Sequence, residues 1–139
     1  MIQDADSAKG QVLRADHLFH VTLKYTRTAD VIKNTIKRLV SSLEYAITEI
    51  LEKKKIKDIP VIALMKADLL KRKFPKNKTI KELVNFYLHI KKVDKGQYAV
   101  QAEYRKNVAI IVNDEKIDIP KLREFLDKTK EFVDFAEKI

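Results

Sequence analysis

The chain has no cysteine, two glycines and three prolines in 139 residues. Without cysteine there is no disulfide, no zinc–thiolate site and no thiol nucleophile. So little glycine and proline leaves few places for tight turns, which argues against a β-sandwich or barrel and for helices with short connections. No apolar run approaches the ~18 residues that a membrane-spanning helix needs. The opening MIQDADSAKG is polar and acidic, unlike a secretory signal. These features predict a soluble, cytoplasmic, single-domain protein over 1–139 with no membrane partner.

Phosphate-cradling loops are also missing. Gly10 and Gly96 stand alone, and no G-x-x-x-x-G-K-[ST] run occurs. Ser7, Ser41 and Ser42 have no nucleophile-elbow glycines around them, which argues against a serine hydrolase. No cofactor is expected.

What is present is charge and helical periodicity. The net charge is +9, with 45% hydrophobic residues and 35% charged ones. The excess is not spread evenly. Residues 1–52 carry seven basic and seven acidic side chains, whereas 53–95 carry fourteen basic against four acidic, and 96–139 carry eight against nine. A segregated cationic region raises the local anion concentration and is the usual footprint of nucleic-acid binding. Scattered lysines that only solvate helix ends are the plainer explanation of such a run, and the two readings have about equal weight.

The longest periodic stretch is Asp30–Leu51, with Ile32, Ile36, Leu39, Leu43, Ala46 and Ile50 at alternating four- and three-residue steps. Val40, Ile47 and Leu51 widen the stripe enough to face several neighbours. Thr28 or Asp30 is its expected cap. A preceding helix is predicted over Gly10–Tyr25, after a frayed lead-in over 1–9, although its end, Phe19–Tyr25, also alternates like a strand. Asp58-Ile59-Pro60 predicts a third helix with proline in its first turn, ending at Phe74-Pro75. Thr79-x-x-Glu82 reads as a capping box for a fourth helix that ends near Gly96. Asp118-Ile119-Pro120 starts the last helix, with Leu122, Phe125, Leu126, Thr129, Phe132, Val133 and Ala136 on its inner face. Between them, Gln97–Lys106 reads as a short helix. Residues 107–113 are β-branched and read as one extended segment or one side of a hairpin. A helix continuing from Gln97 to Val112 is the alternative. The predicted fold is therefore all-α, a bundle of about five helices with one short extended segment near 107–113.

Asp16, His17 and His20 could share one helical face, but two histidines need a further ligand and His89 is the sole remaining histidine. No metal is expected. The run Glu103-Tyr104-Arg105-Lys106-Asn107 is the densest polar constellation. Arg105 could pair with Glu103 or with an Asp to fix a chain reversal, the favoured role, or grip a phosphate bidentately. Phe74, set among Lys71, Arg72, Lys73 and Lys76, could stack a base but is better explained as a core anchor.

Ala15–Thr22, the long helix after Tyr25-Thr26-Arg27-Thr28, and Glu103–Val108 together resemble a group of small uncharacterised archaeal proteins over most of the chain. The bundle also resembles HEPN domains, helical proteins that act as ribonucleases or RNA-binding modules, commonly as homodimers. In that family an Arg is followed four to six positions on by a His. Only Arg105 could stand for that Arg, and no histidine follows it. The resemblance implies RNA as partner, with a homodimer and a HEPN-like or toxin-type ribonuclease using Arg105 as the catalytic alternative.

The favoured function is non-catalytic: an RNA-binding or ribonucleoprotein-associated protein. Lys53, Lys54, Lys55, Lys57, Lys71, Arg72, Lys73, Lys76 and Lys78 would contact phosphates, with Arg105 as a further candidate. A protein-interaction or assembly module is the other alternative.

Overall fold

The structure, a computed structural model, describes residues 7–139. Its centre is the long helix. The first helical rod runs as α1 (Ala8–His17), a π-helical turn (Leu18–Thr22) and α2 (Leu23–Thr26) without leaving helical geometry. Then come α3 (Ala29–Lys53), α4 (Ala63–Lys73), α5 (Lys78–Lys95), the strands β1 (Tyr98–Gln101), β2 (Ala109–Val112) and β3 (Glu115–Asp118), and α6 (Ile119–Lys138). The protein is mostly helical, five rods with a small antiparallel sheet, so it is more than the all-α bundle the sequence predicts.

α3 is wrapped by α1, α4, α5 and α6 and touches β2. Its whole expected stripe is buried, from Ile32 through Leu51. Each such Ile or Leu contributes about 1.5–3 kcal/mol by leaving water, which is why one helix can organise the rest. Thr28 is the cap, its hydroxyl accepting from Val31 N at 3.3 Å. A second acceptor comes from 74 residues away: Glu103 Oε2 takes the Ala29 amide at 3.0 Å. Both satisfy donors that an α-helix leaves free at its start.

The expected lead-in of 1–9 divides. Residues 1–6 lie outside the described residues, whereas Ser7 caps α1, accepting from Gly10 N at 2.9 Å, and Ala8 and Lys9 form its first turn. At its other end α3 closes in a Schellman motif. Ile56 N donates to Leu51 O at 3.1 Å and Lys55 N to Glu52 O at 3.0 Å. Lys55 takes the left-handed conformation, φ 57°, that glycine would normally supply.

Three predicted starts are corrected. Pro60 does not open α4, because Asp58 is left-handed at φ 56° and the chain stays irregular until Ala63. Ile59 is spent as an anchor packed on the core. Thr79 and Glu82 do not form the cap of α5. Asn77 does, its Oδ1 accepting from Ile80 N at 3.0 Å, after a turn in which Asn77 N bonds to Phe74 O. Gln97–Lys106 is not helical. Gly96 leaves α5 in an extended conformation, ψ 155°, and Tyr98–Gln101 pairs with β2 in the register Tyr98↔Val112 to Gln101↔Ala109.

β2 is therefore the middle strand of three, order β1-β2-β3, and the continuous-helix alternative is excluded. Val108, Ala109, Ile110 and Val112 are buried, consistent with an apolar extended segment at 107–113. The β2–β3 hairpin turns on Asn113-Asp114, both at positive φ (52° and 65°), the geometry of a type I′ turn whose twist matches the strands. Asp118 caps α6 as expected, accepting from Lys121 N at 2.9 Å, with proline in the first turn.

Candidate nucleic-acid interface

Helix directions decide which basic clusters meet. Lys33 of α3 reaches the carbonyl oxygen of Asp94 (2.7 Å), while Glu44 reaches the Tyr87 hydroxyl (2.7 Å) and Lys91 (2.8 Å). Positions rise on α3 as they fall on α5, so the two run antiparallel. The start of α5 thus lies level with the end of α3. Lys66 of α4 donates to Thr48 Oγ1 at 3.1 Å, so α4 begins at that level and carries its own C-terminus further toward the same end. Lys53–Lys57, Lys71–Lys73 and Lys76–Lys81 therefore share one end of the molecule. Lys91, Lys92 and Lys95 do not. They lie toward the opposite end with the sheet, and Lys91 is held by Glu44.

Within the basic end the residues differ in availability. Lys53 is engaged: its ammonium donates to Ala136 O and Glu137 O at 2.7 Å each and pairs with Glu49 at 3.0 Å. It closes the C-terminus of α6. Arg72 lies 2.8 Å from Asp68 on an exposed face, and Lys71 donates to Asn85 Oδ1 at 3.2 Å. Such exposed contacts are worth little and exchange readily for a phosphate. Lys54, Lys55, Lys57, Lys73, Lys76, Lys78 and Lys81 are exposed. Among the described residues their side chains make no ion pair or hydrogen bond.

Their placement has unequal physical explanations. Lys54 and Lys55 follow the C-terminus of α3, and Lys71, Arg72 and Lys73 end α4, where the helix dipole favours cations. Lys76, Lys78 and Lys81 surround the N-terminus of α5, whose first turn contains no acid. There the dipole disfavours cations, and amide donors add to the positive field.

The other candidates sit elsewhere. Arg105 is exposed in the β1–β2 loop, and its side chain has no ion pair among the described residues. The Arg105–Glu103 pair considered from sequence does not form, because Glu103 caps α3. Tyr104 N donates to Arg27 O at 2.8 Å, so backbone and Glu103 together dock this loop. Phe74 packs against the core, as favoured. Asp16 is taken by Lys130 and lies 3.5 Å from His20. No group of three metal-ligand side chains occurs among the described residues.

Two polar features have no sequence signature. The first is Glu44, shared by Tyr87 and Lys91 between α3 and α5. Burial, then the Glu44 carboxylate, holds the Tyr87 phenol well above its ordinary range. Nearby, Lys33 is pulled down by burial, partly offset by Asp94, whose Oδ1 has no hydrogen-bond partner. The second is an open cleft of about 650 Å³ between α5 and α6. Phe86 and Phe132 line it, with Glu82, Asn85, His89, Lys128 and Glu131 around them. His89 is held by Glu115 at 2.7 Å. Its acids and bases nearly balance, so it attracts neither sign of charge strongly.

The apolar residues of α3 are covered within the chain, except Tyr45, which is partly exposed. No described helix is long and apolar enough to cross a membrane. The chain matches no family model, no curated protein and no solved structure.

Proposed function

We propose that the protein binds RNA or a ribonucleoprotein without catalysis, gripping phosphates with the basic end formed by the α3 terminus and the α4–α5 hairpin. The observation that carries this reading is the trio Lys76, Lys78 and Lys81 at the N-terminus of α5. Lysines there oppose the helix's own electrostatics, so helix stability does not explain them, whereas an anionic ligand does. Lys54, Lys55, Lys57 and Lys73 extend the same surface, with Lys71 and Arg72 exchanging weak internal partners for phosphates. No exposed aromatic is interleaved with these cations, so contacts go to the backbone and carry no base readout.

Seven unpaired lysines together with Lys71 and Arg72, each neutralising one phosphate of a single strand, would give log K against log salt a slope of about −6 at most. Fluorescence anisotropy with a labelled generic RNA tests this. A steep salt dependence that flattens in K76E/K78E/K81E supports the reading, and salt-independent binding would refute it.

A second reading, a protein-interaction module, is favoured by one apolar patch. Val61 is 93% exposed, beside exposed Ile62, Leu64 and Met65 and the half-covered Tyr45. Sedimentation of the wild type and of I62D/M65D would reveal self-association through this patch.

A further inference from the structure

At the opposite end lies a second, smaller pocket of about 240 Å³, formed where the π-turn meets the β1–β2 loop and the start of α6. Phe19, Leu23 and Ile119 give it apolar walls, and every polar side chain lining it is basic: His20, Lys24, Arg27 and Lys106. The α5–α6 cleft contains Glu82 and Glu131, and the pocket beside Lys66 contains Glu44. This one has no acid.

Three separate elements assemble the cations. A π-turn inserts an extra residue per turn and re-aims side chains, a device common at functional sites. Here it comprises Leu18–Thr22, which contains His20 and ends one residue before Lys24 with Leu23 between them. Arg27 ends α2 in the left-handed conformation, φ 48°, a conformation disfavoured for a side chain that large. Lys106 arrives on the loop docked by Tyr104 N on Arg27 O and by Glu103 on the Ala29 amide.

The lysine and arginine charge is not spent internally. Among the described residues, the side chains of Lys24, Arg27 and Lys106 make no ion pair or hydrogen bond. His20 lies 3.5 Å from an Asp16 oxygen that Lys130 already holds. Like charges gathered around one concavity repel one another, and an anion in the pocket removes that repulsion. Guanidinium and ammonium donors with one apolar wall suit a phosphoryl group on a carbon skeleton. The volume is below the ~300 Å³ of ordinary ligand pockets, so it takes a terminal group and leaves the remainder outside.

We propose that this pocket binds a phosphomonoester, carried either by a small metabolite such as a nucleotide or by the 5′ end of an RNA. It lies about 37 Å from the basic end, the length of the 25-residue α3, and does not depend on that surface.

Backbone NMR at constant ionic strength, titrating inorganic phosphate, adenosine 5′-monophosphate and dimethyl phosphate, tests the proposal. The expected result is saturable shifts over 19–27 and 104–107 with the two monoester-type ligands, at a Kd of about 1 mM or tighter. Dimethyl phosphate, which has one charge, should bind at least tenfold more weakly. K106A and R27G, the latter chosen because glycine tolerates the left-handed backbone, should each weaken binding about tenfold. K54A/K76A, at the far end, should change it less than twofold. A 5′-phosphorylated oligonucleotide that saturates the shifts over 19–27 and 104–107 much more tightly than adenosine 5′-monophosphate, and more tightly than the same oligonucleotide with a 5′-hydroxyl, identifies an RNA end as the source. Equal affinities identify the small molecule, and either result supports a phosphomonoester site. No saturable shift, or saturation that survives both K106A and R27G in folded protein, overturns it. Loss of salt-dependent RNA binding at the basic end would leave it standing.

Discussion

Replacing Lys53 by methionine separates the role that sequence assigns to this lysine from the role that structure gives it. Methionine keeps the apolar stem and removes the ammonium. That ammonium makes two 2.7 Å hydrogen bonds to the carbonyls of Ala136 and Glu137 and a 3.0 Å pair with Glu49. Charged hydrogen bonds contribute about 1.5–3 kcal/mol each when buried. Here the side chain is 37% exposed, so water takes over much of the loss. Adding the cation's favourable position at the end of α6, the expected cost is about 1–2 kcal/mol. For a domain of this size that lowers Tm by roughly 3–8 °C, measurable by circular dichroism. The same variant should leave the salt slope of RNA binding within experimental error of wild type. K54A should do the reverse, leaving Tm nearly unchanged while flattening the slope by about 0.7. A K53M protein with unchanged Tm and a flattened slope would refute the assignment of Lys53 to the α6 terminus.

Three further outcomes are expected. Lys55→Gly should raise stability by about 1 kcal/mol in chemical denaturation, because the left-handed position at φ 57° suits glycine, while weakening salt-dependent RNA binding by one contact. Gly96→Ala should cost about 1–3 kcal/mol, since its Cβ would stand 2.6 Å from Val112 Cγ1; trimming the neighbour in G96A/V112A should cost less than the two single changes added. Tyr87→Phe should lower stability near neutral pH by about 1–2 kcal/mol through the lost bond to Glu44. The Tyr87 pKa is raised above its ordinary 10.0, so its contribution is complete below that pH and declines above it by up to ~1.4 kcal/mol per pH unit. The gap between Tyr87→Phe and wild type should therefore narrow once the pH passes 10, and a gap that widens would contradict the sign.

The tripeptide Asp-Ile-Pro shows where local reading stops. At 118–120 it opens a helix as its chemistry predicts, with Asp118 on the Lys121 amide. At 58–60 the same three residues form irregular chain. The Schellman closure of α3 and the anchoring of Ile59 on the core set the backbone there before helix propensity can act. Gln97–Lys106 is the second case. Its Gln, Ala, Glu, Arg and Lys are good helix formers, yet pairing with the buried strand Ala109–Val112 outweighs a preference of a few tenths of a kcal/mol per residue. The basic residues were legible as a list, but their grouping was not. Lys53 and Lys54 are adjacent in sequence and differ wholly in use, because the end of α6 stands beside one and solvent beside the other.

By itself the sequence determines the helical core. The Ile32–Leu51 stripe, a cap at Thr28 or Asp30, the Asp118 cap and the apolar 107–113 segment are encoded by periodicity and short-range hydrogen bonding, which act over a few residues. Tertiary structure alone decides the sheet, the sharing of Glu44 by Tyr87 and Lys91, the split of the cations into available and engaged, and the meeting of Lys24, Arg27 and Lys106 in one pocket. Those outcomes depend on residues tens of positions apart, whose encounter is fixed by how the helices pack around α3 and by no pattern within any of them.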